Sequence, residues 1–122
     1  MAHVLVVDDD FQVLAMLKRT LEKTGYEVLT AANGKEAMKC IHQEPPDLVI
    51  TDLIMPEKEG IETIIEIRKD FPEIKIIAIS GGGRIVPEQF LQIAKTIGAN
   101  QIFAKPFDRK KLLEGVRELL AA

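Results

Sequence analysis

The 122-residue sequence predicts a doubly wound α/β fold, with five parallel strands in one sheet and five helices covering its two faces. Two observations carry that prediction. Short apolar runs alternate with longer stretches of helical period five times along the chain, with no internal repeat and no low-complexity segment. The runs are also apolar at consecutive positions, which reads as strands buried on both faces and therefore as a parallel sheet.

Val4-Leu5-Val6-Val7 is the first such run, ending in Asp8-Asp9-Asp10. From Phe11 to about Thr24, Leu14, Leu17 and Leu21 share one helical face, and Gly25 supplies the C-terminal cap. Glu27 to Ala31 is the second strand, and Asn33-Gly34 opens a short helix carrying Ala37, Met38 and Ile41 that Pro45-Pro46 ends. Leu48-Val49-Ile50 is the third strand and runs to Asp52. Ile61, Ile64, Ile65 and Ile67 are expected to face inward on the next helix. Ile74 to Ile79 is the fourth strand, running into Ser80. Beyond Gly81-Gly82-Gly83, the residues Phe90, Leu91, Ala94 and Ile97 mark a fourth helix. Gln101 to Ala104 is the fifth strand, and Asp108 caps a last helix whose apolar face holds Leu112, Leu113, Val116 and Leu120.

Composition narrows the function. Sixteen Lys and Arg against nineteen Asp and Glu, a formal net charge of -3, lack the basic excess of a nucleic-acid-binding domain. One cysteine, Cys40, cannot form an internal disulfide, and with two histidines it cannot complete a four-ligand zinc site, so a reducing cytoplasm fits best. No apolar run approaches the length of a membrane span, and the N-terminus lacks the basic region of a signal peptide.

In a doubly wound sheet, ligands bind beyond the carboxyl ends of the strands. Those ends carry Asp8, Asp9 and Asp10, then Asp52, Ser80 and Lys105. Asp10 has a structural reading as the N-cap of the first helix. Several carboxylates on one edge repel one another unless a cation compensates them, and hard oxygen ligands without Cys or His point to Mg²⁺.

Four motifs in this order, Val4-Leu5-Val6-Val7-Asp8-Asp9-Asp10, Pro46-Asp47-Leu48-Val49-Ile50-Thr51-Asp52-Leu53-Ile54-Met55-Pro56 with Gly60, Ile79-Ser80, and Lys105-Pro106-Phe107, resemble the receiver domain of two-component response regulators. The resemblance spans the chain, residues 1–122, and implies the flavodoxin-like strand order 2-1-3-4-5. It implies that Asp52 accepts a phosphoryl group from a histidine kinase or histidine phosphotransfer protein. It further implies that Asp8, Asp9, Asp52 and the backbone carbonyl of Ile54 hold Mg²⁺, and that Lys105 and Ser80 contact the phosphoryl oxygens. Pro106 matches the family's cis-proline. The output partner, and homodimerisation through the fourth helix, fifth strand and fifth helix, are left open by the residues, as is whether this is a stand-alone regulator or part of a longer protein.

The chain departs from the family pattern at Ile102, where an aromatic residue is frequent, and Phe103 should point to the opposite face of its strand. The connection from Ser80 to Lys105, with Gly81-Gly82-Gly83-Arg84 and Pro87, is a few residues longer than usual, and its glycines fit no nucleotide-binding pattern. Ile54 is expected to shield an acyl phosphate from water. His3 and His42 lack sequence partners at ligand spacing, Cys40 reads as a packing residue, and Arg109-Lys110-Lys111 as a solvated charge run. Two other functions compete with the switch: a haloacid-dehalogenase-like phosphatase using Asp8-x-Asp10, Ser80 and Lys105, and a binding module independent of phosphorylation. The first lacks Thr or Val two places after Asp10 and an acidic motif after Lys105. The second does not explain the intact set of five site residues.

Overall fold

The computed structural model describes residues 2–53, 60–80, 92, 95–105 and 107–121. Strands β1 (His3–Val7), β2 (Glu27–Ala31), β3 (Leu48–Asp52), β4 (Lys75–Ser80) and β5 (Gln101–Ala104) form one parallel sheet in the order β2-β1-β3-β4-β5. Helices α1 (Phe11–Lys23), α2 (Gly34–Gln43) and α3 (Gly60–Asp70) lie in the first three connections. Residues 92 and 95–97 are helical and mark the fourth helix, and the fifth spans Arg109–Ala121.

Helices α1, α2 and the fifth each start where a side chain satisfies a first free amide. Asp10 Oδ1 accepts from the Gln12 amide at 2.9 Å, Asn33 Oδ1 from that of Glu36 at 2.9 Å, and Asp108 Oδ1 from that of Lys110 at 2.8 Å. At the end of α1 the cap is Thr24, and Gly25 follows at φ 100°, a left-handed conformation that favours glycine.

Period-two alternation along the strands builds two cores. Leu5, Val7, Val49, Ile76 and Ala78 face α2 and α3, while Val4, Val6, Ile50, Ile77 and Ile79 face α1 and the fifth helix. Side chains buried as completely as Leu17, Leu21, Ile41 and Ile64 each contribute roughly 1.5–3 kcal/mol.

Two expectations are corrected. Ile65 does not face inward but is 49% exposed, because the buried stripe of α3 is Gly60, Thr63, Ile64 and Ile67, and Ile65 lies about 100° around the helix from Ile64. The second strand is not covered on both faces: Leu29 is 54% exposed, since β2 is the edge of the sheet and α2 is only ten residues long.

Candidate functional site

Strand register assembles the site. Val7 pairs with Thr51, so Asp8 and Asp52, one residue further on each chain, emerge side by side. Asp52 pairs with Ile79, which places Ser80 on the next strand over, and Ser80 pairs with Ala104, which brings up Lys105. The Lys105 amide donates to the Ser80 carbonyl at 2.6 Å, and the Leu53 amide to the Ile79 carbonyl at 2.9 Å, extending the pairing past the strand ends. Gly60 fixes the start of α3 against the same place. Its amide donates to the Leu53 carbonyl at 3.0 Å, and a Cβ there would overlap the Asp52 carbonyl oxygen.

Asp8, Asp52 and Ser80 are almost entirely buried, at 1%, 6% and 2% exposure, whereas Asp9 is exposed at the rim. The Lys105 ammonium reaches between the two buried acids, donating to Asp8 Oδ2 at 2.7 Å and to Asp52 Oδ2 at 3.3 Å. The other Asp8 oxygen accepts from the Asp10 amide at 2.9 Å. Burial, reinforced by the Asp52 charge, raises the Asp8 carboxyl above the usual carboxylate value despite the bonds from Lys105 and Asp10. For Lys105, burial is the largest single influence and favours the neutral amine. The Asp8 hydrogen bond and the charges of Asp52 and Asp8 together outweigh it, so its pKa is raised and it remains an ammonium ion.

One oxygen from each of Asp8, Asp9 and Asp52 lies within 4.8 Å of the others. Ligands on one Mg²⁺, bound at about 2.0–2.1 Å in octahedral geometry, stand roughly 3–4 Å apart, so this all-oxygen set can close on that ion with small side-chain movements. Asp10 is not among them. It is exposed and its carboxylate caps α1, which removes one of the two acids that the phosphatase reading needs.

Of the expected site residues, Asp8, Asp52 and Lys105 thus meet in direct contact, with Asp9 exposed beside them and Ser80 buried at the end of the next strand. Ile54, Pro106, Gly81-Gly82-Gly83-Arg84, Pro87 and the apolar residues Phe90, Leu91 and Ala94 lie outside the described residues. Ile102 packs with the core under α2 and α3, and Phe103 with the opposite core, as strand alternation requires. The sequence reading missed that Lys105 sits closer to Asp8 than to Asp52. The signal was available only through register. It also passed over both histidines, whose neighbours come from distant segments: His3 lies between Glu27 at 3.2 Å and Glu44 at 3.6 Å, and His42 beside Glu66 and Asp70. No helix among the described residues is long and apolar enough to cross a membrane.

Known proteins resemble this chain in sequence and fold. A family model described as "Response regulator receiver domain" matches residues 4–117. Sporulation initiation phosphotransferase F of Bacillus subtilis is 32% identical over 117 residues, covering 96% of this chain and 92% of that protein. A response regulator receiver domain protein (CheY-like) from Methanospirillum hungatei matches with a TM-score of 0.93 and 31% identity, over 99% of this chain and 94% of the other. The response regulator protein TrrA from Thermotoga maritima, solved in complex with Mg(2+)-BeF, matches with a TM-score of 0.86 and 35% identity, over 98% and 99%. The chain spans less than half the length of several other curated relatives that it matches, which are described as transcriptional regulators. A parallel sheet in the order 2-1-3-4-5 agrees with these matches in fold. The chain therefore belongs to the response regulator receiver domain family, whose members are phosphorylation-dependent switches of two-component systems and not classical enzymes.

Proposed function

We propose that Asp52 is the phosphoacceptor and that phosphorylation there changes the affinity of this chain for an output partner. The observation that carries the reading is the Lys105 ammonium held between two buried carboxylates, 2.7 Å from Asp8 and 3.3 Å from Asp52. An Asp52 oxygen attacks the phosphorus of a phosphohistidine, forming an acyl phosphate as the P–N bond breaks and the imidazole leaves. Phosphoryl transfer needs mostly positioning and neutralisation of charge, and Lys105 supplies a fixed positive charge that exchanges a carboxylate oxygen for phosphoryl oxygens. Asp8, Asp9 and Asp52, with the Ile54 carbonyl, would hold Mg²⁺. When bound, the ion draws charge from the transferring phosphoryl oxygens.

The Ser80 hydroxyl, buried at the end of β4, would donate to a phosphoryl oxygen. A group of charge about -2 with three strong acceptors can thereby pull on the chain that follows Ser80. Ile102 in place of an aromatic residue leaves that displacement as the chief output of the switch, while Ile54 shields the acyl phosphate. Residues 1–122 act as one cytoplasmic receiver unit, phosphorylated by a histidine kinase or histidine phosphotransfer protein, or by small phosphodonors directly, and hydrolysing its own acyl phosphate.

Incubation with Mg²⁺ and acetyl phosphate, followed by intact mass measurement, tests the reading. One phosphate-sized gain is expected, absent without Mg²⁺ and in Asp52→Asn. No gain from this donor or from phosphoramidate would refute it. Steady turnover of p-nitrophenyl phosphate that Asp8→Asn abolishes and Asp52→Asn spares would instead identify a phosphatase.

A further inference from the structure

We propose that the adjoining ends of α2 and α3 form a second divalent-cation site of zinc type, made by His42, Glu66 and Asp70. One ligand atom from each of the three lies within 4.8 Å of the others, so a single ion can reach all three after small rotations. Zn²⁺ binds imidazole nitrogen at about 2.0–2.1 Å and carboxylate oxygen at about 2.0–2.2 Å, and three protein ligands leave a fourth position for water. His42 and Asp70 are exposed and Glu66 is half-buried, so an ion can enter from solvent.

The position of these side chains on their helices points the same way. His42 stands in the last turn of α2, and Glu66 and Asp70 in the last turns of α3. Carboxylates at i and i+4 repel each other, and at the C-terminal end of a helix they also oppose the helix dipole. The negative ends of two helix dipoles therefore meet two acids. Arg68, between them in sequence, directs its guanidinium to the carbonyls of Pro72, Ile74 and Gly98 and to Asn100, and Lys69 is the other basic residue of that last turn. A bound dication adds favourable charge at this end of both helices. The His42 ring is already oriented by an edge-on contact with Phe71, with centroids 5.2 Å apart and planes at 67°. The two sites differ in metal preference: the site at Asp52 offers only oxygen ligands and suits Mg²⁺, whereas an imidazole selects a borderline ion such as Zn²⁺.

Calorimetric titration of the whole chain with Zn²⁺, in excess Mg²⁺, tests the site. One equivalent of Zn²⁺ should bind, weakened at least about tenfold in His42→Ala and in Asp70→Asn, and unchanged in Asp52→Asn and His3→Ala. Both weakened variants change exposed positions, and circular dichroism verifies that they fold. As a second readout, Co²⁺ should shift the His42 ring proton resonances before those of His3. Absence of Zn²⁺ uptake, uptake unchanged in His42→Ala and Asp70→Asn, or uptake lost in Asp52→Asn or His3→Ala would each overturn the proposal while leaving the phosphoacceptor reading intact.

Discussion

Lys105 and Arg68 are partly buried cations at opposite edges of the same sheet, and they are bonded in opposite ways. At the carboxyl edge, Lys105 faces the carboxylates of Asp8 and Asp52. At the amino edge, Arg68 donates to the carbonyls of Pro72, Ile74 and Gly98 and to the Asn100 side chain, which also accepts from the Ile76 amide at 2.8 Å. The pKa of Lys105 is raised because its charged neighbours outweigh burial; that of Arg68 is lowered because burial outweighs the Glu73 charge. An ammonium among anions can exchange one anionic partner for another when a phosphoryl group arrives. A guanidinium bonded to backbone carbonyls cannot move without orphaning them. One edge is built to change and the other to stay, and Gly98 fits the second, since at φ 134° a Cβ would run into the Arg68 side chain.

The largest effect that separates the two edges is on phosphoryl transfer. Lys105→Ala, assayed with acetyl phosphate and Mg²⁺, should slow phosphorylation by about 10²–10³-fold, the usual loss when one fixed electrostatic contact to a transition state is removed. Arg68→Ala should leave the rate per folded molecule within a few-fold of wild type. In urea unfolding the order reverses: Arg68→Ala should cost about 2–4 kcal/mol through several orphaned carbonyls. Equal losses of rate in the two variants would break the distinction.

Gly60→Ala should fall between them, lowering stability by about 1–3 kcal/mol and also slowing phosphorylation, because the added Cβ pushes α3 and the Asp52 backbone apart. Mg²⁺ at tenfold above its Kd should stabilise the wild type by about 1.4 kcal/mol, read as a rise in Tm that Asp9→Asn reduces and Arg68→Ala retains.

The smallest effect is the pH dependence of the metal-free protein. The folded-state pKa of Asp8 is raised from its ordinary 3.8 by burial first and then by the Asp52 charge, so between the two values the folded state binds more protons than the unfolded state. The associated stability is present below the unfolded value and is lost as pH rises through the folded one. Asp8→Asn should accordingly gain on the wild type as pH rises through that window, with no such trend below it. A wild type that gained on Asp8→Asn as pH rises through that window would contradict the assignment.

Much of this was legible in the chain itself. Consecutive apolar runs such as Leu48-Val49-Ile50 declare a two-sided sheet, and the acids, serine and lysine fall directly after them. Ile65 misled because four isoleucines in seven positions do not say which side of a helix is inside; the stripe through Gly60 and Thr63 decides it. The closeness of Lys105 to Asp8, 97 residues away, depends on the offset of neighbouring strands, which no local pattern encodes. The surroundings of His42 were hidden for the same reason, since α2 and α3 meet only after the sheet is formed.

Mapping the phosphorylated residue tests the central claim most directly. After reaction with phosphoramidate and Mg²⁺, reduction with borohydride converts an aspartyl phosphate to homoserine, and peptide mass spectrometry locates it. Homoserine at position 52, and at no other aspartate, is the predicted result. Homoserine at Asp8 or Asp9, or none at a protein shown by intact mass to carry phosphate, would contradict it.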